Sequence, residues 1–178
     1  NGKMPKKGEI FKNPQLAKTL EIIAEKGRDG FYEGDVAKTM ADFIQSQGGF
    51  LTYEDISSFH SEWTPPVSSN YRGYDIWELP PNGQGIAALQ ILNILENYNI
   101  QKMGLFSSEY IHLFTEAKKL AFADRAKYYA DPNFSKIPVK QLISKSYAKE
   151  RLKLINPKKA AKSSQAGALE SGDTIYLT

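Results

Sequence analysis

A chain of 178 residues, 41% apolar and 24% charged, has the make-up of an ordinary globular domain and is long enough to bury a hydrophobic core. Its 23 basic and 20 acidic residues leave a net charge of +3, too small and too dispersed to point to nucleic acid. With no cysteine, disulfides and thiolate metal sites are excluded, and no apolar run approaches the ~20 residues of a membrane span.

Asn13-Pro14 predicts a helix start, a capping side chain followed by proline at the first helical position. Leu16, Leu20, Ile23 and Ala24 continue at helical spacing until Gly27, and Val36, Met40, Phe43 and Ile44 mark a second amphipathic helix ending at Gly48-Gly49. Thr52-Tyr53-Glu54-Asp55 has the form of a capping box, with Asp where Glu or Gln is usual. The pattern then turns extended. Val67 to Tyr71 and Tyr74 to Leu79 read as two strands of a hairpin joined at Arg72-Gly73. Helix returns from Gly83 to Asn97. The longest helix runs from Ser107 or Ser108 to Ala130, where Asp131-Pro132 stops it. Ser144 caps a helix reaching about Ile155, and Asn156-Pro157 starts a last short one. From Lys162 to Gly172 the residues are small and polar, which predicts a mobile linker. The chain starts at Asn1 without methionine and stops on the apolar run Ile175-Tyr176-Leu177-Thr178, so both ends read as cuts in a longer protein. The expected class is mainly α with one small antiparallel hairpin.

Few constellations suggest chemistry on their own. Gly83-Gln84-Gly85-Ile86-Ala87-Ala88 has the form of a dinucleotide fingerprint, but Pro80-Pro81 precedes it and no parallel βαβ unit follows. Glycines that let a helix start pack closely are the preferred reading. His112 has Glu116 one turn on, yet two or three further ligands would be needed for a metal. The aromatic run Phe106, Tyr110, Phe114, Phe122, Tyr128 and Tyr129 is assigned to core. Asp124-Arg125 and Glu116-Lys119 read as ordinary helix-surface pairs.

A series of phrases in order resembles the γ-glutamyltranspeptidase family of N-terminal-nucleophile hydrolases. They include Gly8-Glu9-Ile10-Phe11-Lys12-Asn13-Pro14, Gly30-Phe31-Tyr32-Glu33-Gly34, Leu79-Pro80-Pro81-Asn82-Gly83-Gln84-Gly85, Glu116 to Arg125, and Gly172-Asp173-Thr174-Ile175. The likeness covers nearly the whole chain and corresponds to the C-terminal part of the family's large subunit. It implies a piece of the four-layer αββα fold. Residues 1–161 would be the helical large-subunit segment, 162–173 a flexible linker, and 174–178 the start of the nucleophile strand.

The same resemblance implies that Thr174 is the nucleophile and that the precursor cuts itself between Asp173 and Thr174. The freed α-amine of Thr174 would serve as base for its own hydroxyl. Without the resemblance, Thr174 would pass as a plain strand threonine. Expected substrates are γ-glutamyl amides such as glutathione, with transfer to water or to amino acid and peptide acceptors. No cofactor or metal is called for. Partners implied are the earlier and later parts of the same precursor, which in the family supply a carboxylate-binding arginine, the oxyanion-hole donors and most of the glutamyl pocket. The segment alone is therefore expected to be inactive, and the family habit suggests an extracytoplasmic location. Competing expectations are a related side-chain amide acylase and a non-catalytic helical interaction module of the same ancestry.

Overall fold

The computed structural model describes residues 4–169, which divide between Glu62 and Trp63 into two units. The first is built of short helices: α1 (Pro14–Lys26), α2 (Arg28–Tyr32), α3 (Gly34–Ser46) and α4 (Tyr53–Ser57). Asn13 caps α1 as the sequence predicts, its side chain accepting from the Leu16 amide at 3.0 Å. The Thr52 hydroxyl accepts the Asp55 amide at 3.1 Å while the Asp55 carboxylate accepts the Thr52 amide at 2.8 Å, so the shorter acid closes the capping box on α4. The Thr52 hydroxyl also donates to the Asp55 carboxylate at 2.6 Å, and this bond, with the one from the Thr52 amide, holds the Asp55 carboxyl below its ordinary range. The five-residue α2 carries no periodic signal and was not foreseen. It lies close to α1 because residue 30 is glycine: a Cβ there would come within 2.6 Å of the Ile22 carbonyl oxygen. Ala37, Ala41 and Ile56 form the unit's small core, with Tyr32 and Met40 against it.

In the second unit β1 (Val67–Tyr71) and β2 (Tyr74–Glu78) pair antiparallel, from Val67 opposite Glu78 to Tyr71 opposite Tyr74. Arg72 (φ 53°) and Gly73 (φ 91°) are both left-handed, the requirement of a two-residue hairpin turn whose twist matches the strands. Behind the hairpin come α5 (Gly85–Leu95), α6 (Ile100–Met103), α7 (Ser108–Tyr128), α8 (Val139–Leu142) and α9 (Lys145–Leu152). Ser107 and Ser144 cap α7 and α9, each accepting the amide three residues on at 3.1 Å.

α5 is apolar almost all round because it is covered on two sides. Ala87, Ile91, Ile94 and Leu95 meet Leu113, Ala117, Leu120 and Ala121 of α7, while Ile86 and Leu89 face Leu142, Tyr147 and the hairpin's Val67 and Ile76. Each fully buried leucine or isoleucine stabilises the unit by about 1.5–3 kcal/mol. Polar groups fix the register: the buried Asn93 donates to the Ile143 carbonyl at 2.7 Å and accepts from Ser69 and Lys145, both at 2.7 Å.

Several expectations are corrected. α7 ends at Tyr128, two residues before Ala130, with Tyr129 already extended ahead of Asp131-Pro132. Asn156-Pro157 starts no helix; the Asn156 side chain instead accepts the Lys158 amide at 2.9 Å and closes a turn. Phe106, Phe114 and Phe122 are exposed, not core. No helix among the described residues is long and apolar enough to cross a membrane.

Candidate functional site

The chemistry-bearing positions of the sequence reading, Asp173 and Thr174, lie outside the described residues, as do 170–172 of the expected linker. The run that leads to them, residues 161–169, is described, and it lies in a polar cradle built from α5, α7 and α9.

Two residues of that run are gripped at both of their backbone groups. The Ala161 amide donates to Glu116 at 3.1 Å and its carbonyl accepts from the Lys119 ammonium at 2.9 Å. Six residues later the Gly167 amide donates to Asp124 at 2.9 Å and its carbonyl accepts from the Tyr128 hydroxyl at 2.5 Å. Between them the Gln165 carbonyl accepts from Arg151 at 2.7 Å, and beyond them the Leu169 amide donates to Tyr128 at 3.3 Å. Glu116, Leu120, Asp124 and Tyr128 stand four apart, so they line one face of α7, and the segment follows that face in the helix's own direction.

The cradle is buried and charged. Asp124 is 1% and Arg151 4% exposed, and their charged atoms meet at 3.2 Å. The second Asp124 oxygen accepts from Gln90 at 2.9 Å, and the Gln90 carbonyl accepts from the Tyr129 hydroxyl at 2.5 Å. The same Arg151 nitrogen also donates to the Leu120 carbonyl at 3.2 Å. A charge pair this deep relies on the bonds that Gln90, the Gly167 amide and the Leu120 and Gln165 carbonyls add to it, since attraction alone scarcely offsets desolvation. Burial pushes the Tyr129 and Tyr147 hydroxyls well up, helped by the Asp124 charge. The Tyr147 hydroxyl, although close to Asp124, makes no hydrogen bond of normal geometry, and Arg151 Nε is likewise without one. For Glu116, burial raises the carboxyl, but bonds from Lys119 and the Ala161 amide outweigh it and the net direction is down. A cavity of about 460 Å³ remains between the segment and Glu116, Leu120, Arg151 and Leu154.

Arranged this way, the site can fix a main-chain path. It sets out no nucleophile, no acid–base couple and, among the described residues, no metal-binding group of three or more carboxylates or histidines. His112 is turned to the Asn156 carbonyl at 2.8 Å, and Glu116 is committed to Lys119 and Ala161. At Gly85, in the glycine pattern before α5, a Cβ would fall 2.7 Å from a Glu78 oxygen and 2.8 Å from the Leu79 carbonyl, as a close-packing glycine requires.

The model of the Gamma-glutamyltranspeptidase family matches residues 1–178. The chain belongs to the γ-glutamyltranspeptidase family. It is 46% identical over 149 residues to the "Glutathione hydrolase-like YwrD proenzyme" of Bacillus subtilis, an alignment covering 84% of this chain and 28% of that relative. Among solved structures it resembles the γ-glutamyltranspeptidase of Helicobacter pylori, with 36% identity, a TM-score of 0.73, and coverage of 96% of this chain and 52% of that one. The cephalosporin acylase of Bacillus halodurans is as similar, with 39% identity, a TM-score of 0.74, and coverage of 94% of this chain and 30% of that one. The chain thus spans well under two thirds of each of these proteins.

Within this member of the family, two expectations from the sequence are corrected. Asp124 pairs with Arg151 from α9, not with Arg125 beside it, and Glu116 is 3% exposed, so neither acid is a surface group. A signal was available: both acids interrupt the stripe of Leu113, Ala117, Leu120 and Ala121, which puts them on the buried face. Their partners in residues 161–169 had no such signal. Where composition predicts a loose linker from Lys162, the backbone of the described part is tied to helices at three residues, Gln165, Gly167 and Leu169.

Proposed function

We propose that this chain is a segment of a self-processing proenzyme that cleaves γ-glutamyl amides such as glutathione and passes the γ-glutamyl group to water or to an amino acid or peptide amine. The observation that carries this reading is that the family match runs through Asp173 and Thr174. The Thr174 hydroxyl attacks the Asp173 carbonyl carbon. The peptide C–N bond breaks, its nitrogen takes up the proton, and water hydrolyses the ester that results. The freed α-amine, titrating near pH ~7.7–8.0, is partly neutral at physiological pH and accepts the proton of its own hydroxyl. That hydroxyl then attacks the γ-glutamyl amide and expels the amine. The segment by itself, without a carboxylate-binding arginine or an oxyanion hole, has no turnover.

The test is the intact mass of the full-length parent beside its Thr174→Ala version. Two pieces meeting at Asp173–Thr174 in the parent, with the variant whole, support the reading, and γ-glutamyl amide hydrolysis follows as the activity assay. Both proteins whole while folded would leave Thr174 a structural residue.

A second reading keeps the nucleophile and changes the substrate to another side-chain amide. The likeness to a cephalosporin acylase at 39% identity favours it. Comparing turnover of a γ-glutamyl anilide with that of a glutaryl amide in the processed parent separates the two.

A further inference from the structure

We infer that Tyr128 and Asp124 form a main-chain clamp on Gly167 that positions the precursor for self-cleavage and has no part in turnover afterwards; the inference rests on the processing reading above. Gly167 is held at its amide by Asp124 and at its carbonyl by Tyr128, which also accepts from the Leu169 amide. The scissile bond begins at Asp173, six residues beyond Gly167. Six extended residues reach at most ~20 Å, so the clamp confines the bond to a short arm. Without it, the segment keeps a single carbonyl bond at Gln165, a pivot that fixes no direction, and the nearest residue gripped at both backbone groups is Ala161, twelve residues from Asp173. Lengthening the arm from six residues to twelve lowers the chance of a given end position by about threefold, and loss of orientation adds to that.

The clamp also explains the glycine. A Cβ at residue 167 would sit 2.2 Å from the Tyr147 hydroxyl and 2.8 Å from its ring carbons, so only glycine lets the segment lie this deep against α9. The Tyr128 hydroxyl is spent on the Gly167 carbonyl and the Leu169 amide, so both residues act through the path of the backbone and are positioning residues.

The experiment follows self-cleavage of the full-length precursor by intact mass over time, in the parent, Tyr128→Phe and Gly167→Ala. The first variant alters the cradle and keeps the ring; the second alters only the segment. Both are expected to slow cleavage, Gly167→Ala by about threefold or more. The values of kcat and KM per processed active site on a γ-glutamyl anilide are expected to match the parent in both variants; Gly167→Ala meets the Tyr147 ring and lowers the thermal midpoint somewhat, whereas Tyr128→Phe adds no atom and is expected to keep it. Cleavage at the parent's rate in both variants overturns the clamp. Slowing that comes with an equal loss of turnover, or in Tyr128→Phe with a lowered midpoint, also overturns it, because the residues would then be serving the fold. A parent that itself stays whole sinks the processing reading first, and that outcome is visible without either variant.

Discussion

Asp124 and Gly167, 43 residues apart in sequence, meet through a single 2.9 Å hydrogen bond, and that bond holds an irregular stretch of chain on the C-terminal part of the longest helix. Asp124 can make it because the carboxylate is already fixed by Arg151 on one side and Gln90 on the other. Cradle and segment therefore depend on the same buried charge pair.

Arg151→Met is expected to destabilise the 178-residue chain by about 3 kcal/mol, since it strips a buried carboxylate of its counter-charge. Urea denaturation measures it. Lys153→Ala, which removes the exposed 2.8 Å pair with Glu150, is the control and should shift stability by less than ~0.5 kcal/mol. Equal effects from the two would mean that the Asp124–Arg151 pair carries no special weight.

Leu113→Ala opens a hole where α5 and α7 meet, because Leu113 is 2% exposed and packs in the larger core cluster. The expected loss is about 2–5 kcal/mol by the same measurement. A loss under 1 kcal/mol would show that the helices collapse into the space.

Gly85→Ala adds one methyl group against Glu78 and the Leu79 carbonyl. Helix propensity favours alanine by about 1 kcal/mol, whereas overpacking costs about 1–3 kcal/mol, and one of the crowding atoms is backbone. Net destabilisation is expected, read as a lower thermal midpoint. A raised midpoint would mean that the β2 end gives way freely.

Glu116 supplies a pH dependence of known sign. Its folded carboxyl titrates below the ordinary 4.5, since the Lys119 and Ala161 bonds outweigh the opposing effect of burial. A depressed carboxyl stabilises the fold above the unfolded value, and that contribution fades as pH falls through the folded one. Comparing urea midpoints of the chain and Glu116→Gln from pH 7 to pH ~3 should show a gap that closes on the acid side. A gap constant with pH would assign the Glu116 contribution to shape and not to charge.

Much of the fold was legible because its signals are local. Asn13, Thr52, Ser107 and Ser144 each accept an amide two or three residues into their own helices, and Arg72-Gly73 makes the hairpin turn with its own two residues. The helices α2, α6 and α8 span five, four and four residues, too few for a period to emerge. The cradle was the least legible part. Small polar residues from Lys162 onward look the same to composition whether the chain is free or tied. The ties come from Glu116, Asp124, Tyr128 and Arg151, which only tertiary packing brings alongside.

All six of the bonds that fasten residues 161–169 end on amide hydrogens or carbonyl oxygens of the segment, never on its side chains. Such a groove is blind to what Ser163, Gln165 or Ala168 display toward solvent, where all three are exposed. Apart from the glycine at 167 and Leu169, whose side chain packs on the core of Ile86, Leu89, Leu142 and Tyr147, the spelling of this stretch is free to drift while its route stays put. Its length is not: one residue inserted between Ala161 and Gly167 would leave every letter acceptable and throw the two grips out of step.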